Sequence, residues 1–324
     1  MYRWRLEWFC GNWSDHSFSI YHLYFIMSRF RNYLSLVKFS HTLFALPFAL
    51  IGFFLGIFGN KPIDESRLPE TPAIWICFIL VLVCMVTARS AAMAFNRWLD
   101  RHFDARNPRT AIREIPRGII APHSALRFVI ICSILFMITC WFINPICFYL
   151  SPVALFVILF YSYTKRFTPL CHLVLGVGLS LAPIGAFLAV TGQFGILPLL
   201  FSGAVICWVS GFDIIYAMQD VDFDKSEKLF SIPTAVGKAR ALRISSLLHV
   251  FSAVFVVLAG VMGEFGVWYW AGMVLFAGML IYQHMIVKPN DLSRVNLAFM
   301  TANGVASVLF AVFVIADMFI THKH

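Results

Sequence analysis

The chain has 324 residues, of which 60% are hydrophobic and only 13% charged, and it carries a formal net charge of +9. A soluble domain carries about 25% charged residues, so a globular soluble enzyme is excluded and an integral membrane protein is implied. The eight cysteines are scattered, mostly through apolar runs, with no CxxC pair and no metal-ligand spacing, so neither disulfides nor a zinc site is assigned.

Residues 1–26 differ in character from the rest of the chain. They lack the positive leader and small-residue cleavage site of a signal peptide, and are expected to be a poorly ordered N-terminal extension. Met27 opens a basic amphipathic lead into the first apolar stretch and reads as a natural start. Residues 27–324 are expected to form a single transmembrane domain, because no soluble domain fits between the apolar stretches. A span needs roughly 20 mainly apolar residues. Nine such stretches occur in order, at about 41–59, 74–95, 124–143, 146–163, 171–191, 197–216, 242–262, 267–287 and 296–319. The connections at 144–145 and 263–266 are short enough to make antiparallel hairpins of their neighbours. The expected fold class is therefore all-α, a polytopic membrane helical bundle of about nine transmembrane helices.

Lys and Arg set the orientation. With a cytoplasmic N-terminus, the inner segments collect Arg29, Arg31, Lys38, the run from Arg97 to Arg127, Lys165, Arg166, the cluster from Lys225 to Arg243, Lys288 and Arg294. The outer segments hold only Lys61, Arg67 and Lys323. One arginine, Arg89, lies within a span, where an unpartnered Arg costs about 2.5–3.5 kcal/mol on insertion scales.

Two acidic segments end spans on the cytoplasmic side. NRWLDRHFD, residues 96–104, places Asn96, Asp100 and Asp104 four residues apart, hence on one helical face. Arg89 is two turns before Asn96 on that face. DIIYAMQDVDFD, residues 213–224, repeats the spacing with Asp220 and Asp224; Asp213 is two turns earlier, and Asp222 falls between. Carboxylates gathered at a low-dielectric mouth repel one another and would protonate if left alone. Oxygen-only ligands suit a hard divalent cation such as Mg²⁺, and nearby Arg and Lys suit phosphate. A diphosphate clamped between two carboxylate–Mg²⁺ sites is the economical reading. Intramembrane carboxylates also mark ion-coupled transporters, the alternative from another class. Against it stand outer loops nearly bare of charge, such as TGQFGILP at 191–198.

NRWLDRHFDARNPRT resembles the first aspartate-rich motif of the UbiA superfamily of intramembrane aromatic prenyltransferases, N-x-x-x-D-x-x-x-D. DIIYAMQDVDFD resembles the second, with the D-x-x-Y-A of the 4-hydroxybenzoate polyprenyltransferase branch. YSYTKRFT, residues 161–168, resembles that family's Y-x-x-x-K-R segment. The similarity covers about residues 29–320.

The resemblance implies transfer of a polyprenyl chain from its diphosphate to an aromatic acid in quinone biosynthesis. Its implied Mg²⁺ ligands are Asn96, Asp100, Asp104, Asp220 and Asp224. Asp100, Asp220, Arg166 and Asp213 are the implied catalytic residues, Asp213 as a group that polarises the acceptor. Arg89, Tyr161, Lys165, Arg166 and Asp222 are the implied substrate contacts. The implied partners are polyprenyl diphosphate, an aromatic carboxylic acid and the bilayer, not nucleic acid, and the implied location is the inner membrane with the site facing the cytoplasm. One stretch departs from the pattern. TAIREIPRG, residues 110–118, replaces the N-R-P-L-P-x-G usual in ubiquinone-type members and looks more like a branch associated with menaquinone made through futalosine. The acceptor is then 4-hydroxybenzoate or 1,4-dihydroxy-6-naphthoate, and both remain open at this point.

Overall fold

The computed structural model describes residues 31–37, 44–58 and 73–321. The expected N-terminal extension, Met27, Arg29, Lys38, Lys61, Arg67 and Lys323 lie outside the described residues. Among the described residues the chain is helical, with no strand beyond one isolated bridge between Lys288 and Asp291.

The helices match the apolar stretches. They are α1 (Leu46–Phe58), α2 (Ile74–Leu99), a short α3 (Arg101–Arg106), α4 (Pro122–Ile143), α5 (Pro145–Thr164), α6 (Cys171–Thr191) and α7 (Ile196–Ala217). A 3-10 turn at Met218–Asp220 leads into α8 (Val221–Ser226). Then come a short α9 (Ile232–Val236), α10 (Lys238–Met262) and α11 (Val267–Ile286). A π-helical turn at Leu297–Ala302 opens the last helix, α12 (Asn303–Thr321). Eight helices are long and apolar enough to cross a membrane, and α1 adds a ninth apolar helix of 13 residues. The chain is a multi-pass helical membrane protein.

The packing inverts that of a soluble bundle. On α10, Leu247, Phe251, Val254 and Leu258 face outward, spaced as one helical stripe, while Ser245, His249, Ser252 and Val256 face inward. Lipid is as apolar as leucine, so helices associate through close packing and hydrogen bonds rather than by hiding apolar surface. Ser245 donates to the Gly211 carbonyl at 2.7 Å and Ser252 to the Ala204 carbonyl at 2.9 Å, which ties α10 to α7. Phe201, Ala204, Val205, Trp208 and Val209 of α7 are fully buried, making α7 the axis of the bundle. Gly52 of α1 lies against the Pro183 backbone of α6, and Gly56 against Val190. The GxxxG of α1 is thus an intrachain contact.

Two short connections make tight hairpins. Asn144 alone separates α4 from α5; its side chain accepts from the Cys147 N–H and donates to the Leu188 carbonyl at 2.8 Å, and Pro145 occupies the first helical position of α5. The other hairpin joins α10 to α11. Buried Asp317 of α12 accepts there from the backbone N–H groups of Gly266, Trp268 and Tyr269 at 2.7–3.3 Å, capping the free donors of the α11 N-terminus. The seven described cysteines are free thiols.

Candidate active site

Helix α2 outlasts its apolar stretch and reaches Leu99, and Asp100 links it to α3 with only a slight break, φ −89° and ψ 2°. The Asp104 N–H still bonds the Asp100 carbonyl at 2.8 Å, so Asn96, Asp100 and Asp104 keep a common side. Helix α7 continues likewise through the 3-10 turn into α8. Both prolongations border one polar cavity of about 270 Å³. Five carboxylates line it, Asp100, Asp104, Asp213, Asp220 and Asp224, together with Asn96 and five cations, Arg89, Arg97, Arg109, Arg113 and Lys165.

Charge balance in this cavity differs from the sequence expectation. The carboxylates are not left to repel one another, because the chain supplies its own cations. Asp100, 2% exposed, pairs with Lys165 at 2.5 Å and Arg166 at 2.8 Å and accepts from Asn96 at 3.2 Å. Asp104 pairs with Arg113 at 2.6 Å. Asp220 is held by Arg109 through both carboxylate oxygens and by Asn107 at 3.1 Å. Arg109 also donates to the Tyr216 hydroxyl at 2.7 Å and lies over the Tyr216 ring. Burial alone would lower the Arg109 pKa, but its bonds to Asp220 and Tyr216 outweigh that and raise it, which keeps the guanidinium charged. Asp224 has no such pair among the described residues.

The remaining expected residues divide. Arg89 and Tyr161 stand where the polar cavity meets a second, apolar one of about 360 Å³ between α2, α4, α5 and α6. Leu175 and Leu179 also belong to both walls. Of the basic pair, Lys165 faces the polar cavity, whereas Arg166 is not part of its lining. Arg166 reaches Asp100 from behind, bonding the Ser162 carbonyl at 2.8 Å on the way. Asp222 is exposed and outside the cavity, because a two-residue offset on α8 turns it away from Asp220 and Asp224.

Sequence reasoning did not single out Arg97, Arg109, Arg113, Asn107, His172 or Tyr216 as site residues. Arg109 and Arg113 repeat the four-residue spacing of the acids just before them, a signal that was available. His172 of α6 donates from Nδ1 to Asp213 of α7 at 2.7 Å. No local pattern reveals that pair.

A Mg²⁺ site can be tested on the donors present. Among the described residues no group of three or more Asp, Glu, His or Cys is placed to hold a metal ion by itself. Mg²⁺ is usually held by one or two carboxylates, with water and substrate phosphate completing its shell. The oxygen-only set matches that pattern. Asp104 Oδ2 is buried without a hydrogen-bond partner, and a buried unpaired carboxylate oxygen is costly unless a ligand completes it. The residues present therefore fit the ion.

The family model described as the UbiA prenyltransferase family matches residues 45–305. A 4-hydroxybenzoate octaprenyltransferase of Tolumonas auensis is 30% identical over 263 residues, covering 78% of this chain and 92% of its own. A UbiA homolog from Aeropyrum pernix K1, solved in its apo form, superposes with a TM-score of 0.72 at 28% identity, covering 88% of this chain and 98% of that one. A UbiA homolog from Archaeoglobus fulgidus bound to GPP and Mg²⁺ shares the fold with a TM-score of 0.64 at 20% identity, covering 89% and 99%.

Proposed function

The chain belongs to the UbiA prenyltransferase family, and on that premise we propose that it transfers a polyprenyl chain from polyprenyl diphosphate to the ring of 4-hydroxybenzoate. The reaction takes place at the cytoplasmic mouth of the bundle in the inner membrane. The observation that carries this reading is a single polar cavity bordered by both Asp-x-x-x-Asp segments and sharing Arg89 and Tyr161 as wall residues with an adjoining apolar one. That adjacency suits a molecule with an anionic head and a long hydrocarbon tail.

The chemistry derives from the lining. Arg97, Arg109, Arg113 and Lys165 bind the diphosphate, and the tail lies among the apolar walls. With five carboxylates against five cations, the cavity is close to neutral before substrate arrives. An entering diphosphate gives Arg109, Arg113 and Lys165 a stronger anion to pair with, and the carboxylates they release become free ligands. Asn96, Asp100, Asp104, Asp220 and Asp224 would hold Mg²⁺, which when bound neutralises charge on the leaving diphosphate. Cations aimed at the departing group lower the barrier to ionising the allylic C–O bond. Apolar walls keep water from the allyl cation, and the electron-rich ring carbon attacks it. Arg89, with its Nε buried and unpartnered, holds the acceptor carboxylate at the junction.

The acceptor is tested by incubating membranes that contain the protein with radiolabelled polyprenyl diphosphate, offering 4-hydroxybenzoate and 1,4-dihydroxy-6-naphthoate in parallel. Labelled product with 4-hydroxybenzoate is expected. Product with the naphthoate alone would reassign the acceptor, and product with neither would overturn the function.

A further inference from the structure

Once the ring carbon has been alkylated it carries both the new substituent and its original hydrogen, and the reaction ends only when a base removes that proton. Resting on the proposed function, we infer that Asp213 is this base and that His172 is the residue that positions it. Asp213 lines the polar cavity, and in this structure its side chain pairs with none of the Lys or Arg that neutralise Asp100, Asp104 and Asp220. One oxygen, Oδ2, is committed to His172 at 2.7 Å. The other, Oδ1, has no partner among the described residues and is the atom left to take a proton.

His172 is 2% exposed and is fixed from both sides. Its Nε2 accepts the Ile232 N–H at 3.3 Å, at the start of α9, so Nε2 carries a lone pair. The proton of a neutral imidazole then sits on Nδ1 and is donated to Asp213; the tautomer is set by the partners. That donated bond fixes the carboxylate's orientation. The same ring ties α6 to Ile232, which directly follows the segment 229–231 of the cavity wall. In the proton-transfer step the C–H bond breaks, its electron pair restores the aromatic ring, and the proton passes to Oδ1 as a neutral carboxylic acid forms. Nothing else is consumed.

Glutamine separates positioning from mere packing. Its amide NH₂ can donate to Asp213 while its carbonyl accepts from Ile232, as the two ring nitrogens do, whereas leucine fills space and does neither. The test uses membranes containing equal amounts of inserted wild type, Asp213→Asn, His172→Leu and His172→Gln, with ring-protonated and ring-deuterated acceptor. Asp213→Asn should lower kcat by about 10²–10⁴-fold, the range of a lost general base. His172→Leu should lower it by about 100-fold, as for a misplaced catalytic group, with KM for the prenyl diphosphate unchanged. Both should expose a primary isotope effect as proton removal becomes slow, and His172→Gln should restore turnover and abolish that effect. The inference is overturned if His172→Leu turns over like wild type, or if His172→Leu and His172→Gln lose activity alike with no isotope effect. A wild-type protein that alkylates neither acceptor would instead overturn the proposed function and this inference with it.

Discussion

Asp222 and Asp224 are two residues apart on α8 and should respond very unequally to removal of the carboxylate. Asp224 lines the polar cavity; Asp222 is exposed and lies outside it. Asn is nearly isosteric with Asp, so Asp→Asn removes charge with little change in packing. At Asp224 the lost charge is one that, in the proposed reaction, would help hold Mg²⁺ against the leaving diphosphate. Removing one electrostatic contributor of this kind typically costs about 2.7–4 kcal/mol, or 10²–10³ in kcat. At Asp222 only a solvated charge disappears, and surface substitutions of that sort stay within about 0.5 kcal/mol, which is roughly a factor of two. The assay is transfer of radiolabelled polyprenyl chain in membranes with matched levels of inserted protein. Equal losses in Asp222→Asn and Asp224→Asn, or a loss confined to Asp222→Asn, would refute the assignment of Asp224 to the cavity face and with it the picture of two acidic segments meeting at one site.

Three further outcomes are expected from the same structure. Chelation by EDTA should stop turnover and added Mg²⁺ should restore it; turnover persisting in EDTA would remove the ion from the mechanism. A Cβ on Gly52 would fall well inside van der Waals contact of the Pro183 carbonyl oxygen, and neither backbone can yield cheaply. Gly52→Ala should therefore destabilise the α1–α6 contact by about 1–3 kcal/mol, read as a lower Tm in detergent. Asp317 serves three donors at the start of α11, so Asp317→Ala should cost about 2 kcal/mol, at the upper end for a helix cap, and lower Tm while leaving KM for the prenyl diphosphate unchanged.

Hydropathy revealed the eight long apolar helices and the shorter α1 found among the described residues, because a lipid-facing helix must be apolar over most of its length. Their ends on the side of the polar cavity were less legible. Helix α2 runs on to Leu99 and α10 begins at Lys238, past the apolar stretches, because hydrogen bonding carries a helix into polar sequence where hydropathy falls silent. The two acidic segments were legible through their spacing, since four residues restore the same helical face. What the spacing could not convey was who neutralises them. Arg109 and Arg113 lie in the segment after α3, and their reach to Asp220 and Asp104 depends on how that segment folds back. Lys165 and Arg166 are neighbours in sequence yet approach Asp100 from different sides, one from the cavity and one from behind. His172 is a single histidine in an apolar helix, and its partner Asp213 is 41 residues away, so only the packing of α6 on α7 brings them together.

Equilibrium binding of geranyl diphosphate to the purified protein, with and without Mg²⁺, decides whether both acidic segments bind one Mg²⁺-diphosphate. Mg²⁺ should tighten binding to the wild type, and Asp100→Asn and Asp220→Asn should each abolish that gain although they lie on different helices. A Mg²⁺ gain that survives intact in either variant would contradict a site shared between them.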